Sequence, residues 1–212
     1  MQRPVAYPGL TLVLPPHLCG PVGLYALAWP YGSYRFDWDA PFDKRRKETH
    51  RFTIADTRGP LSLTVPVARP ESSRCRWSDI RISAHDEWWH LHLTALESAY
   101  GRTPYFEFYI DRFRPMLRAG VMDDFPTLRS LACAWEEKIA SILGFSLPSG
   151  GAEVGLAEAG PLPSEALMPP YTQVRQQKLG FIAGLSILDL IFNLGPEAQL
   201  WLNSVSGLNR LR

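Results

Sequence analysis

The stretch from Thr127 to Leu143 constrains this chain more than any other. Leu128, Leu131, Ala132, Trp135, Ile139, Ile142 and Leu143 recur at the 3.6-residue period of an α-helix. Asp123 and Asp124 precede the run and suit the positive end of a helix dipole, and Gly144 terminates it. A helix with one apolar face is stable only where that face is covered. The spacing therefore predicts core scaffold here, and the rest of the sequence has to supply its cover.

A second helix is predicted over 86–100, within the run from His85 to Phe113. Its stripe reads His85, Trp89, His92, Leu96, Ala99, Tyr100. Gly101 stops it, Pro104 restarts the chain, and Tyr105-Phe106-Glu107-Phe108-Tyr109 hangs off its end as an aromatic tail. Helical spacing resumes from Ile110 to Ala119. A third apolar helix, over 184–194, carries Asp189 and Asn193 on one face, and Gly195-Pro196 ends it. Another helix follows with Leu200, Trp201 and Leu202 buried, and the tail SVSGLNRLR reads as frayed.

Strand signals lie in the first 85 residues. Residues 10–14, LTLVL, are a short apolar run closed by Pro15-Pro16, which fits a buried strand projecting His17, Leu18 and Cys19 into a loop. GPVGLYALAW then has helical spacing with Pro21 at its start, and YRFDW reads as a second strand. RFTIADTRGPLSLTVPV reads as a β-hairpin turning at TRGP. Residues 68–78 read as a loop, and DIRIS as a short strand with Ile80 and Ile82 on one face. Residues 146–165, rich in Gly, Pro, Ser and Ala, read as a flexible excursion. The expected architecture is one domain over 1–212, of α/β or α+β class. A small mixed sheet from the N-terminal half is covered by helices at 86–100, 127–143 and 184–194.

Composition removes several function classes. Twenty-two basic residues balance 21 acidic ones, so no overall field holds a polyanion and nucleic acid is not an expected partner. No stretch reaches the 18 apolar residues a membrane span needs. The N-terminus has no signal-peptide pattern, and Pro4, Pro8, Pro15 and Pro16 would break such a helix. The three cysteines, Cys19, Cys75 and Cys133, form neither a ligand pair nor a disulfide framework. A cytoplasmic protein is expected. His90 and His92 would share a face only on a strand; on a helix they diverge, so no metal is expected. Phosphate loops, GxSxG and GxGxxG are absent.

Some polar residues stand out against these apolar contexts. Lys44, Arg45, Arg46 and Lys47 run together and are followed by His50 and Arg51, which reads either as a solvated face or as an anion contact. His92 on an amphipathic helix is either a satisfied structural residue or a general acid/base. Asp189 in an apolar helix must be paired, with Lys178, Arg175 or Arg51 as possible partners.

Three stretches together resemble the WbqC family of bacterial proteins. FDKRRKETHRFTIADTRGPLSLTVPV is similar to that family's lysine, arginine seven residues later, and hairpin ending in Pro-Val; Lys44 and Arg51 fill those places. HLHLTALESAYGRTPYFEFY matches through His92, Tyr100, Pro104, Tyr105 and Phe106. GFIAGLSILDLIFNLGPEAQLWL matches through Ser186, Asp189, Asn193, Gly195, Pro196 and Glu197. The chain departs from the pattern at His50, where Asn is frequent, and in Pro-His-Leu-Cys-Gly-Pro, where relatives carry aromatics after the first proline. The resemblance implies a cytoplasmic protein and, for some members, a setting in O-antigen or other surface-polysaccharide synthesis. It implies no reaction.

The expectation is a group-transfer enzyme acting on a sugar, nucleotide sugar or related anionic metabolite. His92 and Asp189 are expected to be catalytic, while Lys44, Arg51, Tyr100, Tyr105 and Asn193 bind substrate. A small-molecule substrate is the expected partner; cofactor and oligomeric state stay open. The alternative is a non-catalytic scaffold that binds a protein through the aromatic segment 105–109.

Overall fold

The computed structural model describes residues 6–43, 45–69, 72, 75–148, 155–162 and 168–208. Strand β1, Leu10–Leu14, is buried along nearly its whole length, as an all-apolar run between parallel neighbours should be. Helix α1, Val22–Ala28, starts at Pro21, and a 3-10 turn, Trp29–Tyr31, leads through left-handed Gly32 into β2, Tyr34–Phe36. β2 pairs parallel with β1, with Leu12 opposite Tyr34 and Leu14 opposite Phe36. Strands β3, Arg51–Asp56, and β4, Gly59–Thr64, form a separate antiparallel hairpin in which Arg51 faces Thr64. Phe52, Ile54 and Leu63 of the hairpin point into the core.

Helices dominate after the hairpin. α2, Trp88–Tyr100, is followed by α3, Phe106–Phe113, α4, Val121–Asp124, and α5, Leu128–Leu143. Strand β5, Gly155–Glu158, adds a parallel partner on the other side of β1, making the order β2-β1-β5. α6, Gln176–Leu179, α7, Ile187–Leu194, and α8, Glu197–Leu208, complete the described elements. α2 and α7 both pack on β3. α7 is buried on every side from Ile187 to Asn193, so it is the central helix. Trp135 of α5 stacks on Phe113 at 4.8 Å between ring centroids, and Phe113 in turn meets Phe192 of α7. Each such ring contributes about 1.5–3 kcal/mol by leaving water.

The mixture of small sheets and C-terminal helices is as the sequence predicts, with the strands divided between two sheets. Several local expectations are corrected. Residues 79–83 are not a strand: Trp77–Asp79 form a 3-10 turn, and Arg81 and Ile82 make only isolated bridges. The 86–100 helix begins at Trp88, because Asp86 and Glu87 have positive φ; this turns Trp88, and not Trp89, into the core. The aromatic tail is itself helix α3, with Phe106, Ile110 and Phe113 buried at helical spacing. The 146–165 excursion contains β5, whose backbone pairing with β1 needs no apolar pattern. Helix α8 continues through the supposedly frayed tail to Leu208, with Val205 and Ser206 buried. None of the described helices is long and apolar enough to cross a membrane.

Candidate functional site

The structure sorts the expected site residues into groups. On β3, the exposed Arg51 side chain donates from Nε to Thr64 Oγ1 at 2.8 Å across the hairpin. His92 reaches the same residue from the core side, hydrogen-bonding the Thr64 backbone. Its ring lies edge-on to Phe52 and Trp88, and Nδ1 is buried without a partner among the described residues. Burial lowers its pKa from 6.5 to about 4, with the Thr64 bond acting in the opposite direction. Arg51 and His92 thus meet only through Thr64. Lys44 lies outside the described residues.

Asp189, Tyr100 and Asn193 do come together. Asp189 Oδ2 accepts from Tyr171 Oη at 2.7 Å and from Gln173 Nε2 at 3.0 Å. The Tyr100 hydroxyl accepts from the Ala55 amide at 3.2 Å and stands beside the carboxyl as a further donor. Asn193 donates to the Asp189 carbonyl and accepts from the Val174 amide, both at 2.8 Å. Burial raises the Asp189 pKa, and these donors counter it. The cluster joins β3, the end of α2, α7 and the chain at 171–174. Tyr105 packs against Gly195: a Cβ there would stand 2.5 Å from the Tyr105 ring. His92 and Tyr100 are eight residues apart on α2, roughly 12 Å at 1.5 Å per residue. His92 thus bonds the hairpin at Thr64 about two turns before Tyr100, while Asp189 of α7 stands beside Tyr100 at the end of α2. Of the aromatic segment 105–109, Phe108 is 75% exposed, Phe106 is buried, and Tyr105 and Tyr109 are half-buried beside them.

Away from these residues, open space is found at the carboxyl ends of the parallel strands. A crevice of about 470 Å³ is lined by Leu14, Pro15, His17, Arg46, Glu48 and the chain at 159–162. A neighbouring hollow of about 180 Å³ shares Leu14, Pro15, Arg46 and Ala159 with it, and adds Asp37 and Glu158. β1 is the middle strand of β2-β1-β5, so the chain leaves it toward one neighbour and returns beside the other. In parallel sheets such a switch point opens a ligand crevice beyond the strand ends.

His17 is built for this position. Its Nδ1 lies 2.8 Å from the Pro15 carbonyl; a carbonyl only accepts, so Nδ1 carries the proton and Nε2 keeps its lone pair. Nε2 makes no hydrogen bond among the described residues. Burial lowers the His17 pKa, so the ring is neutral at pH 7; the Pro15 bond and Glu48 raise it, and Arg46 lowers it. Arg46 Nε holds Glu48 Oε1 at 2.9 Å, which leaves its terminal nitrogens free of hydrogen bonds among the described residues. In the same loop Cys19 has φ 46°, a strained conformation for a residue with a side chain. Sequence reasoning placed His17 in a loop after a buried strand but assigned it no role; its position beyond a parallel strand's carboxyl end was the available signal. Among the described residues no cluster of His, Cys, Asp and Glu could hold a metal.

Comparison with protein families matches the model described as the WbqC-like protein family over residues 38–151, just over half of the chain. No curated protein and no solved structure matches. The matched span holds the cationic run, the hairpin and α2 to α5; His17 and Asp189 fall outside it.

Proposed function

The chain belongs to the WbqC-like protein family, and on that premise we propose that it is a cytoplasmic group-transfer enzyme acting on a sugar, nucleotide sugar or related anionic metabolite in bacterial surface-polysaccharide synthesis. The reaction takes place in the crevice at the carboxyl ends of β1 and β5. His17 Nε2 accepts the proton of the attacking group as that group bonds to the transferred unit. The leaving group departs with the bonding electron pair, and its charge is met by Arg46. The same cationic stretch of the sequence offers Lys44 and Arg51 as further anion contacts. His92 and Tyr100 tie α2 to the hairpin that this stretch leads into, while Asp189, Asn193 and Tyr105 brace α7 behind it.

The observation carrying the proposal is the His17 ring, with one nitrogen bonded to the Pro15 carbonyl and the other unbonded in a crevice of about 470 Å³ beside Arg46. The test is a thermal-shift screen of nucleotide sugars. A ligand at a hundred times its dissociation constant stabilises by about 2.7 kcal/mol. Arg46→Ala should abolish the shift, and His17→Ala should retain binding but lose turnover. If both variants behave as wild type while His92→Ala or Arg51→Ala abolishes the shift, catalysis lies on the hairpin and the crevice is not the site.

A further inference from the structure

A cleft of about 560 Å³ runs between the edge of β2 and helix α5, on the other side of Asp37 from the strand-end hollow. At its floor lies Glu136, only 3% exposed. Tyr25 Oη donates to Glu136 Oε1 and Oε2 at 2.8 and 3.0 Å, and Tyr34 Oη donates to Oε2 at 2.7 Å. Two hydroxyls from α1 and β2 thus converge on one carboxyl from α5. A glutamine would serve equally well as a tether between these elements and would avoid the cost of burying an ionisable group. Glu136 occupies the apolar face of α5, four residues after Ala132 and three before Ile139. An acid on that stripe is what sequence periodicity could have singled out.

The walls indicate what would bind. Tyr34, Phe36 and Trp38 line one side, and aromatic faces attract cations. Around them stand Asp37, Asp39 and Glu137 against Arg35 and Arg129, with Arg76 pairing Asp39 at 3.6 Å, so the rim is balanced and the Glu136 carboxylate at the floor is the charge left to attract a cation. Cys133 lines the cleft and Cys19 lies behind it; burial pushes both thiols up, and the field of Glu136 adds to this. Neither thiol competes for the charge.

We infer that this cleft is a second binding site, separate from the crevice, for a small organic molecule bearing a protonated amine, with the Glu136 carboxylate as its buried counter-ion and the Tyr34–Phe36–Trp38 side as its wall. Burial raises the Glu136 pKa from 4.5 to about 7, against the two tyrosine bonds. The carboxyl is therefore part protonated near neutrality, and an ammonium beside it draws the proton off. Burial and the neighbouring carboxyl push the Tyr25 hydroxyl well up, so it does not give up its proton here.

The experiment is calorimetric titration with 6-aminohexan-1-ol and its uncharged counterpart 1,6-hexanediol. The probe amine titrates near the lysine value of about 10.4 and stays protonated throughout. Wild type should bind the amine saturably at pH 8 and about tenfold more weakly at pH 6, because the ionised fraction of a group titrating near 7 falls about tenfold over that range. The diol should not bind comparably. Glu136→Gln should lose at least tenfold in amine affinity and all pH dependence, with circular dichroism confirming its fold. Absence of saturable binding, equal binding of the diol, or a flat pH profile in wild type overturns the site, and these readouts decide even if the variant does not fold. A folded Glu136→Gln that binds like wild type overturns it as well.

Discussion

Glu136 and His92 are buried ionisable groups of opposite sign, and their effects on stability oppose each other. Glu136 is held up to about 7 from 4.5, so its contribution is full below 4.5 and is lost as pH rises through 7. His92 is held down to about 4 from 6.5, so its contribution is full above 6.5 and is lost as pH falls through 4. Between pH 5 and 7 each changes stability by about 2 kcal/mol, and the two nearly cancel. Removing one should expose the other. Urea unfolding of wild type and Glu136→Gln at pH 5 and pH 7 should show the stability difference moving by about 2 kcal/mol in the variant's favour at pH 7. A difference that does not change with pH would mean that Glu136 titrates normally. Neither pKa could be read from sequence, because desolvation depends on what packs around a group and not on its neighbours in the chain.

Helix α5 shows how far local rules reach at the scale of an element. Its apolar period and its end at left-handed Gly144 agree with the sequence reading, whereas Asp123 and Asp124, expected at its N-terminus, belong to α4 and Thr127 is the N-cap. The Thr127 Oγ1 accepts from the Ser130 amide at 3.1 Å, and the Ser130 hydroxyl answers at the Thr127 amide. Thr127→Ala should cost about 1 kcal/mol, read as a fall in Tm of about 2–4 °C for a chain of this size. An unchanged Tm would show that tertiary contacts alone hold that terminus. Elements without such signals were misread for physical reasons. β5 has the burial of an edge strand and is held by backbone pairing to β1, which composition does not record. In sequence the aromatic tail reads as hanging off α2 without a helix of its own, because adjacent rings hide the period that turns Phe106, Ile110 and Phe113 inward.

At the scale of the whole molecule, the core of α5 and α7 and the thin parallel sheet should differ in stability. Amide exchange followed by mass spectrometry should find Ile187–Leu194 and Leu12–Leu14 strongly protected. Gly155–Glu158, exposed and paired on one side alone, should exchange orders of magnitude faster and slow on ligand binding in the crevice it borders. Equal protection of β1 and β5 would count against this division. The sequence by itself determined the helices with strong apolar periods, the hairpin, the buried first strand and the family resemblance, because periodicity, turn residues and motif spacing act over short stretches of chain. Tertiary structure alone decided that β5 joins β1, that Tyr25 and Tyr34 converge on Glu136, that Asp189 is held by Tyr171 and Gln173, and that His92 bonds the hairpin at Thr64. These pairings close over tens to more than a hundred residues, and no local pattern encodes which distant groups a packed core brings into contact.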